Sequence, residues 1–377
     1  MNAAEILQEL VSPAGRADPF PLYAAAHRLG PLLAVTDDIF LAVGYAAVNE
    51  ALRNPAFEIP TESSTQPSLE LMQRSILRAN PPNHGRMRSL ISQVFTPRRV
   101  AELRPAVEAA VDDLLDGLPG GLPAEVDFMD RFAFQLPVTV ICELLGVPTA
   151  DRSRFRPLAS DLTAALELTD TADDLADAAA RELGTYFSYL IQDPPPGGLI
   201  AALVAARERL SDEELLANLI LLLVAGFETT TDLLGNGLAI RLRHPDLPTD
   251  VAFVEEVLRY DSPVQVTTRV AARPSEIAGT PIPAGSNVVL LLGAANRDPA
   301  RFPDPDRFDP GRPGNKPLSF GAGAHICLGN SLARLEATIA FDRLRQFTIT
   351  PNGEPTRRDR LVLRGYQTLP VKLSGAR

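Results

Sequence analysis

The densest chemistry in this chain lies over Phe320–Gly329, which reads Phe-Gly-Ala-Gly-Ala-His-Ile-Cys-Leu-Gly. A lone cysteine is ordinarily a small buried hydrophobe. Cys327 stands in a different setting. Gly321, Gly323 and Gly329 let the backbone turn tightly around its sulfur, and the spacing predicts a helix from about Leu328 to Phe347. The start of a helix stabilises a thiolate through its dipole and its N–H groups. A thiolate held in such a loop is what an iron–sulfur bond to a haem requires. Cys142, in Val-Ile-Cys-Glu-Leu-Leu, has apolar neighbours at helical spacing and reads as packing.

A second concentration of chemistry is Glu228-Thr229-Thr230-Thr231-Asp232. The apolar residues around it run from Leu215 to about Arg243 on every helix face, the pattern of a buried helix. Ser211 and Glu214 form its capping box. Carboxylates and hydroxyls midway along a buried helix are costly unless used. Gly226 weakens the helix, and the Thr229 hydroxyl is placed to draw a carbonyl from the helical ladder, so a kink is expected. His84 and Arg88 share one helix face. His27 and His244 read as surface or satisfied residues.

The elements around these groups are mostly helical. The chain has 377 residues, 45% apolar and 22% charged, which excludes a disordered chain. A net charge of −11 argues against a nucleic-acid partner. Two cysteines build neither a disulfide framework nor a Cys-rich zinc site. The run Leu215–Phe227 is broken by Asn218 and is short for a bilayer, and the acidic N-terminus is no secretory signal. A cytoplasmic protein with no membrane contact is expected.

A hairpin near 30–55 leads into a helix at Ala46–Arg53. Residues 57–80 read as a long loop. Helical spacing covers 98–117, 126–146, 150–167 and 172–192. Short β-like segments fill 268–293, residues 297–330 are irregular, and 348–373 read as hairpins. The fold class is mainly α with small β-sheets (α+β), as a single domain over 1–377.

Four segments in order resemble the cytochrome P450 family: Ala225-Gly226-Phe227-Glu228-Thr229-Thr230, Glu256-x-x-Arg259, Pro305-Asp306-Arg307-Phe308, and Phe320-x-x-Gly323-x-x-x-Cys327-x-Gly329. His84-Gly-Arg-Met-Arg88 and Phe95-Thr-Pro-Arg-Arg extend the likeness to the first third. The resemblance implies a cytochrome P450 fold with a long central helix over haem b (iron-protoporphyrin IX), and O2 as co-substrate. Cys327 would be the metal ligand, Phe320 would shield its sulfur, and Gly329, Ala225 and Gly226 would lie at the cofactor. His84, Arg88, Arg269 and His325 would hold the haem propionates. Glu228 and Thr229 would be catalytic, relaying protons as O2 is reduced. Glu256, Arg259 and Arg307 would form a buried structural triad.

That resemblance implies a haem-thiolate monooxygenase acting on a small or medium organic substrate, in bacterial secondary metabolism, as a monomer. Electrons would come from a ferredoxin or flavodoxin with its reductase, steered by Arg86, Arg98, Arg99 and Arg334. The pocket would be lined by the 60–78 loop, parts of 155–190, Leu222, Ala225, Pro263–Thr268 and Tyr366–Gln367. A peroxide-driven or rearranging haem-thiolate enzyme, or a haem-binding protein without turnover, are the other readings. The sequence departs from the family between Pro245 and Glu256, where about two helical turns are missing. The helix normally there should be short or absent.

Overall fold

The structure, a computed structural model, describes residues 1–61, 64–93, 95–118, 121–167, 174–206 and 209–376. It is mainly helical, and its described strands gather in four small sheets. The chain forms two compact units, each assembled from separate segments.

The first unit comprises Met1–Pro60, Asn236–Cys327 and Pro355–Gln367. Its five-stranded sheet runs in the order Leu32–Ala34, Ile39–Ala42, Asn287–Leu291, Val266–Ala271, Phe57–Glu58. The first two strands are the expected hairpin, followed by the helix Tyr45–Arg53. Ile39–Ala42 then pairs in parallel with Asn287–Leu291. The near-continuous apolar run Ile39–Val43 suits a strand buried on both faces. Alternation sends Phe40 and Ala42 into one core with Leu52 and Val288, and Leu41 and Val43 into another with Ile6, Leu10 and Tyr23.

The irregular stretch after residue 297 is fixed by buried polar chemistry. Glu256 and Arg259, on the helix Val251–Tyr260, are fully buried and bonded through two N–H groups at 2.8 and 2.7 Å. Arg259 also donates to the carbonyls of Asn296, Pro305 and Arg307. The triad expected from the sequence needs a correction. The Arg307 side chain is exposed, and that residue contributes its carbonyl. The second guanidinium on Glu256 is Arg312, at 3.4 Å, which also donates to the carbonyls of Pro303, Asp304 and Arg307. Arg307 sits in the motif, but a turn carries its side chain outward, and Arg312 is the next arginine to face inward. Asn315 and the Asp309 amide complete the donors to Glu256.

A second buried cluster is centred on Asp261, which accepts from Arg357 at 2.7 Å and Arg364 at 2.9 Å. Burial alone would raise its pKa, but the two guanidinium charges win and hold it at about 2. His27 is bonded to the Ala294 carbonyl, and His244 is exposed and stacks on Phe308.

The second unit comprises Thr61–Gly235, Leu328–Glu354 and Thr368–Arg377. Its three-stranded sheet places Pro370–Ala376 between Ala124–Asp127 and Phe347–Pro351. Helices Arg104–Asp116 and Asn330–Leu344 pack together. The sequence reading errs in places here. Residues 57–80 hold a helix, Pro67–Gln73, that Pro at its first position starts. The segment 126–146 opens as a strand before the helix Gln135–Leu145. The segment 98–117 is two helices, Pro97–Glu102 and the one from Arg104. The C-terminal strands nest rather than form successive hairpins, because Pro370–Ala376 pairs back to Phe347–Pro351 across Thr356–Arg357 and Tyr366–Thr368. Residues 172–173, within the segment expected to be helical over 172–192, lie outside the described residues, and the helix there is Asp174–Gln192.

The central helix, Asp212–Arg243, has 32 residues. It is long and apolar enough to cross a membrane, although 72% of its most apolar window is buried inside the protein. Residues 244–250 contain only turns, so the helix missing from the sequence is missing from the fold.

Candidate functional site

Each unit carries part of the expected constellation. In the first unit, the loop at Cys327 is built from its glycines. Gly321 (φ +67°) and Gly323 (φ +69°) occupy the left-handed region that glycine alone adopts cheaply. A Cβ on Gly323 would also collide with the Leu52 carbonyl oxygen, so the loop lies directly on the helix Tyr45–Arg53. The Cys327 amide donates to the Phe320 carbonyl at 2.9 Å, closing the loop on the residue that opens the motif. Cys327 is exposed, while Phe320 and His325 are half-buried. Cys142, by contrast, is buried, and burial pushes its thiol up to about 12, which keeps it inert. The helix after the loop begins at Asn330, with Gly329 as its cap.

Arg269 lies on the strand Val266–Ala271 and is 4% exposed. Among the described residues its guanidinium donates only to the Thr267 hydroxyl and the Thr268 carbonyl. Burial without a facing carboxylate lowers its pKa to about 10. A buried cation lacking an acidic partner among the described residues suits an anionic ligand group.

In the second unit, the central helix is buried along nearly all of its middle, yet Leu222, Ala225, Gly226 and Thr229 are each partly exposed. Their spacing of i, i+3, i+4 and i+7 is one helix face. Glu228, one residue from Thr229, is fully buried. The Thr229 hydroxyl donates to the Ala225 carbonyl at 2.9 Å, as its position suggested. The helix is otherwise unbroken across Gly226. The glycine serves packing instead of a break: a Cβ there would meet Ile141 Cδ1 at 2.9 Å, on the helix Gln135–Leu145.

The helix Asn83–Ile91 presents His84 and Arg88 one turn apart, with His84 4% exposed. Burial first, then the Arg88 charge, lowers the His84 pKa, so this histidine is neutral near pH 7. Arg86 on the same helix grips Glu214 with two bonds, at 2.8 and 2.6 Å. Arg98 and Arg99 share Glu102. Of the expected pocket lining, residues 62–63 and 168–173 lie outside the described residues.

Sequence reasoning missed Arg312 and the buried Asn296, which accepts the Leu318 amide and donates to Ser319. It also missed what Asn218 does, although an amide inside an apolar helix was the signal.

The family model for cytochrome P450 matches residues 246–373. The cytochrome P450 monooxygenase PikC of Streptomyces venezuelae is 39% identical over 386 residues, 94% of this chain and 91% of that one. The vitamin D(3) 25-hydroxylase of Pseudonocardia autotrophica is also 39% identical, covering 94% of each chain. The crystal structure of Mycobacterium smegmatis CYP164A2 superposes with a TM-score of 0.88 at 38% identity, over 98% of this chain and 100% of that one. The chain therefore belongs to the cytochrome P450 family, with its α+β fold. It is an oxygen-inserting oxidoreductase of the haem-thiolate class, using haem b with O2 as co-substrate. The buried Arg269 and the glycine-built loop at Cys327 fit that cofactor.

Proposed function

We propose that this enzyme monooxygenates a small or medium lipophilic metabolite in bacterial secondary metabolism. It works in the cytoplasm as a monomer and draws electrons from a separate ferredoxin or flavodoxin with its reductase. The observation that carries the reading is the partly exposed face Leu222–Ala225–Gly226–Thr229, with Thr229 on it and Glu228 buried beside it. The relatives named as a monooxygenase and a hydroxylase support the reaction type.

Haem b, when bound, supplies the iron at which O2 is reductively activated. Cys327 would hold the haem iron through its thiolate, and Phe320 would keep water from its sulfur. As the family resemblance implies, Arg269, His325, Arg88 and His84 would bind the propionates. His84 would do so as a hydrogen-bond donor. Leu222 and Ala225 orient an apolar substrate and exclude water. Gly226 leaves room on the same face. Thr229 holds a proton at Oγ1, with the Ala225 carbonyl as its resting acceptor, and Glu228 replenishes it through water.

The test is stoichiometric, because proton delivery decides whether O2 reduction ends in product or in free hydrogen peroxide. Thr229→Ala removes the hydroxyl and leaves the packing of Gly226 on Ile141 untouched. Reductant oxidation should continue, while peroxide release rises about tenfold relative to product. Glu228→Gln should instead slow O2 consumption itself. Unchanged coupling in Thr229→Ala would overturn the relay.

A further inference from the structure

The face of the central helix that carries Leu222, Ala225 and Thr229 continues toward its N-terminus through Asn218 and Glu214, one turn apart. Asn218 meets the segment between the helices Pro67–Gln73 and Asn83–Ile91 at Ile76, and Glu214 meets the second of those helices at Arg86. Asn218 is fully buried. Its Oδ1 accepts the Ile76 amide at 2.9 Å, and its Nδ2 donates to the Glu214 carbonyl at 2.7 Å. Met87, on the helix Asn83–Ile91, lies against the same amide group, Sδ 3.8 Å from Nδ2. Ten residues beyond Ile76, Arg86 is clamped by the Glu214 carboxylate.

The connecting chain is thus tied to one helix face at Ile76, and the helix that follows it is tied to the same face at Arg86. Ser75 is fully buried, and its hydroxyl turns back to the Met72 carbonyl. Ile76 is 7% exposed, whereas Leu77 next to it is 40% exposed. Because Asn218 is one turn from Leu222, the latch sets where Ile76 stands relative to the apolar face. A leucine or methionine would pack at position 218 as well as asparagine does. It would leave the Ile76 amide buried without an acceptor, which is costly.

We propose that Asn218 is a positioning residue for substrate selection. By fixing the Ile76 amide one turn from Leu222 it sets how closely this segment approaches the apolar face, and so decides the size of substrate the enzyme accepts. The proposal rests on the monooxygenase reading. The Glu214–Arg86 clamp anchors the far end, so the segment is adjusted at Asn218 without moving the helix that bears His84 and Arg88.

The experiment uses the holoenzyme, with bare imidazole and a bulky aryl imidazole as haem-directed probes, and amide hydrogen exchange resolved to single residues. In the wild type, the Ile76 amide should exchange about 100-fold more slowly than that of Leu77. Asn218→Leu should raise Ile76 exchange about tenfold. It should leave the carbon monoxide difference band and imidazole affinity within about twofold, while changing the affinity for the aryl imidazole about tenfold. Asn218→Asp keeps an acceptor for the Ile76 amide and should restore the wild-type ratio of the two affinities.

Equal weakening of both probes in Asn218→Leu would mean general loss of structure and overturn the proposal. So would an unchanged ratio of affinities, or an Ile76 amide that exchanges as fast as Leu77 in the wild type. The last measurement needs no variant, so a failure of Asn218→Leu to fold leaves the proposal open to refutation. A wild-type protein without the carbon monoxide band would bring down the monooxygenase reading and this proposal together, whereas a normal band with unaltered selectivity overturns the latch alone.

Discussion

Glu336, on the helix Asn330–Leu344, is 2% exposed, and its Oε2 has no hydrogen-bond partner among the described residues. Desolvation therefore acts on it with nothing to offset it, and its pKa is raised well above the usual glutamate range. The sign of the consequence is fixed. Between the pKa of a glutamate in the unfolded chain, about 4.3, and its own raised value, the folded protein keeps a proton that the unfolded chain has released. Stability attributable to this group is full below that window and falls as pH rises through it, by about 1.4 kcal/mol per pH unit. For a chain of 377 residues, with an unfolding entropy of about 2.1 cal/mol/K per residue, each pH unit is worth about 2 °C in Tm.

Glu336→Gln keeps the shape and removes the titration. At pH 4 the variant and wild type should melt together, since both carry a neutral side chain. Above pH 5 the variant should gain on the wild type by about 2 °C per pH unit until Glu336 itself ionises, after which the difference stays constant. The assay is a set of melting curves of the holoprotein from pH 4 to 9, checked by urea midpoints at constant slope. Parallel profiles for the two proteins would refute the reasoning. A variant that loses ground as pH rises would show that the carboxylate is stabilised by a cation in the folded state.

The remaining predictions use the same logic of buried partners. Arg312→Ala leaves Glu256 undercompensated and should cost about 3–5 kcal/mol, while Arg307→Ala should stay within about 0.5 kcal/mol; urea denaturation separates them, and equal costs would restore Arg307 to the triad. Asp261→Asn should lose about 2.5 kcal/mol at pH 7, a loss that fades as pH falls from 3.8 to about 2, where the wild-type carboxylate is protonated too; a loss independent of pH would contradict the charge argument. Cys327→Ser should abolish the red-shifted band of the reduced carbon monoxide complex, and Cys142→Ser should keep it, because only Cys327 lies in an exposed loop; the reverse pattern would reassign the ligand.

Much of this was legible because the decisive residues are local. Gly321, Gly323 and Cys327 lie within seven positions, and the loop they make is a backbone matter. The central helix was readable from its unbroken apolar pattern. The strand Ala124–Asp127 was not, since nothing in four residues shows that the distant segment Pro370–Leu373 will pair with it. Arg307 and Arg312 were indistinguishable for a related reason. Both are arginines in an irregular stretch, and which one faces Glu256 depends on how turns at Asp304 and Asp309 aim the chain. Asp304 itself has φ +48°, a conformation that no side-chain pattern announces.

Gly226 shows how a residue can be read correctly for position and wrongly for cause. Its helix propensity suggested a kink, but propensity is a weak prior beside tertiary packing. In the fold the missing side chain admits Ile141, and the helix stays continuous while Thr229 donates to the Ala225 carbonyl. A regular helix holds its exposed face in one line, from Leu222 to Thr229, and Asn218 continues that line one turn further. The helix is continuous from Asn218 to Leu222, so a segment tied at Asn218 is held one turn from the apolar face.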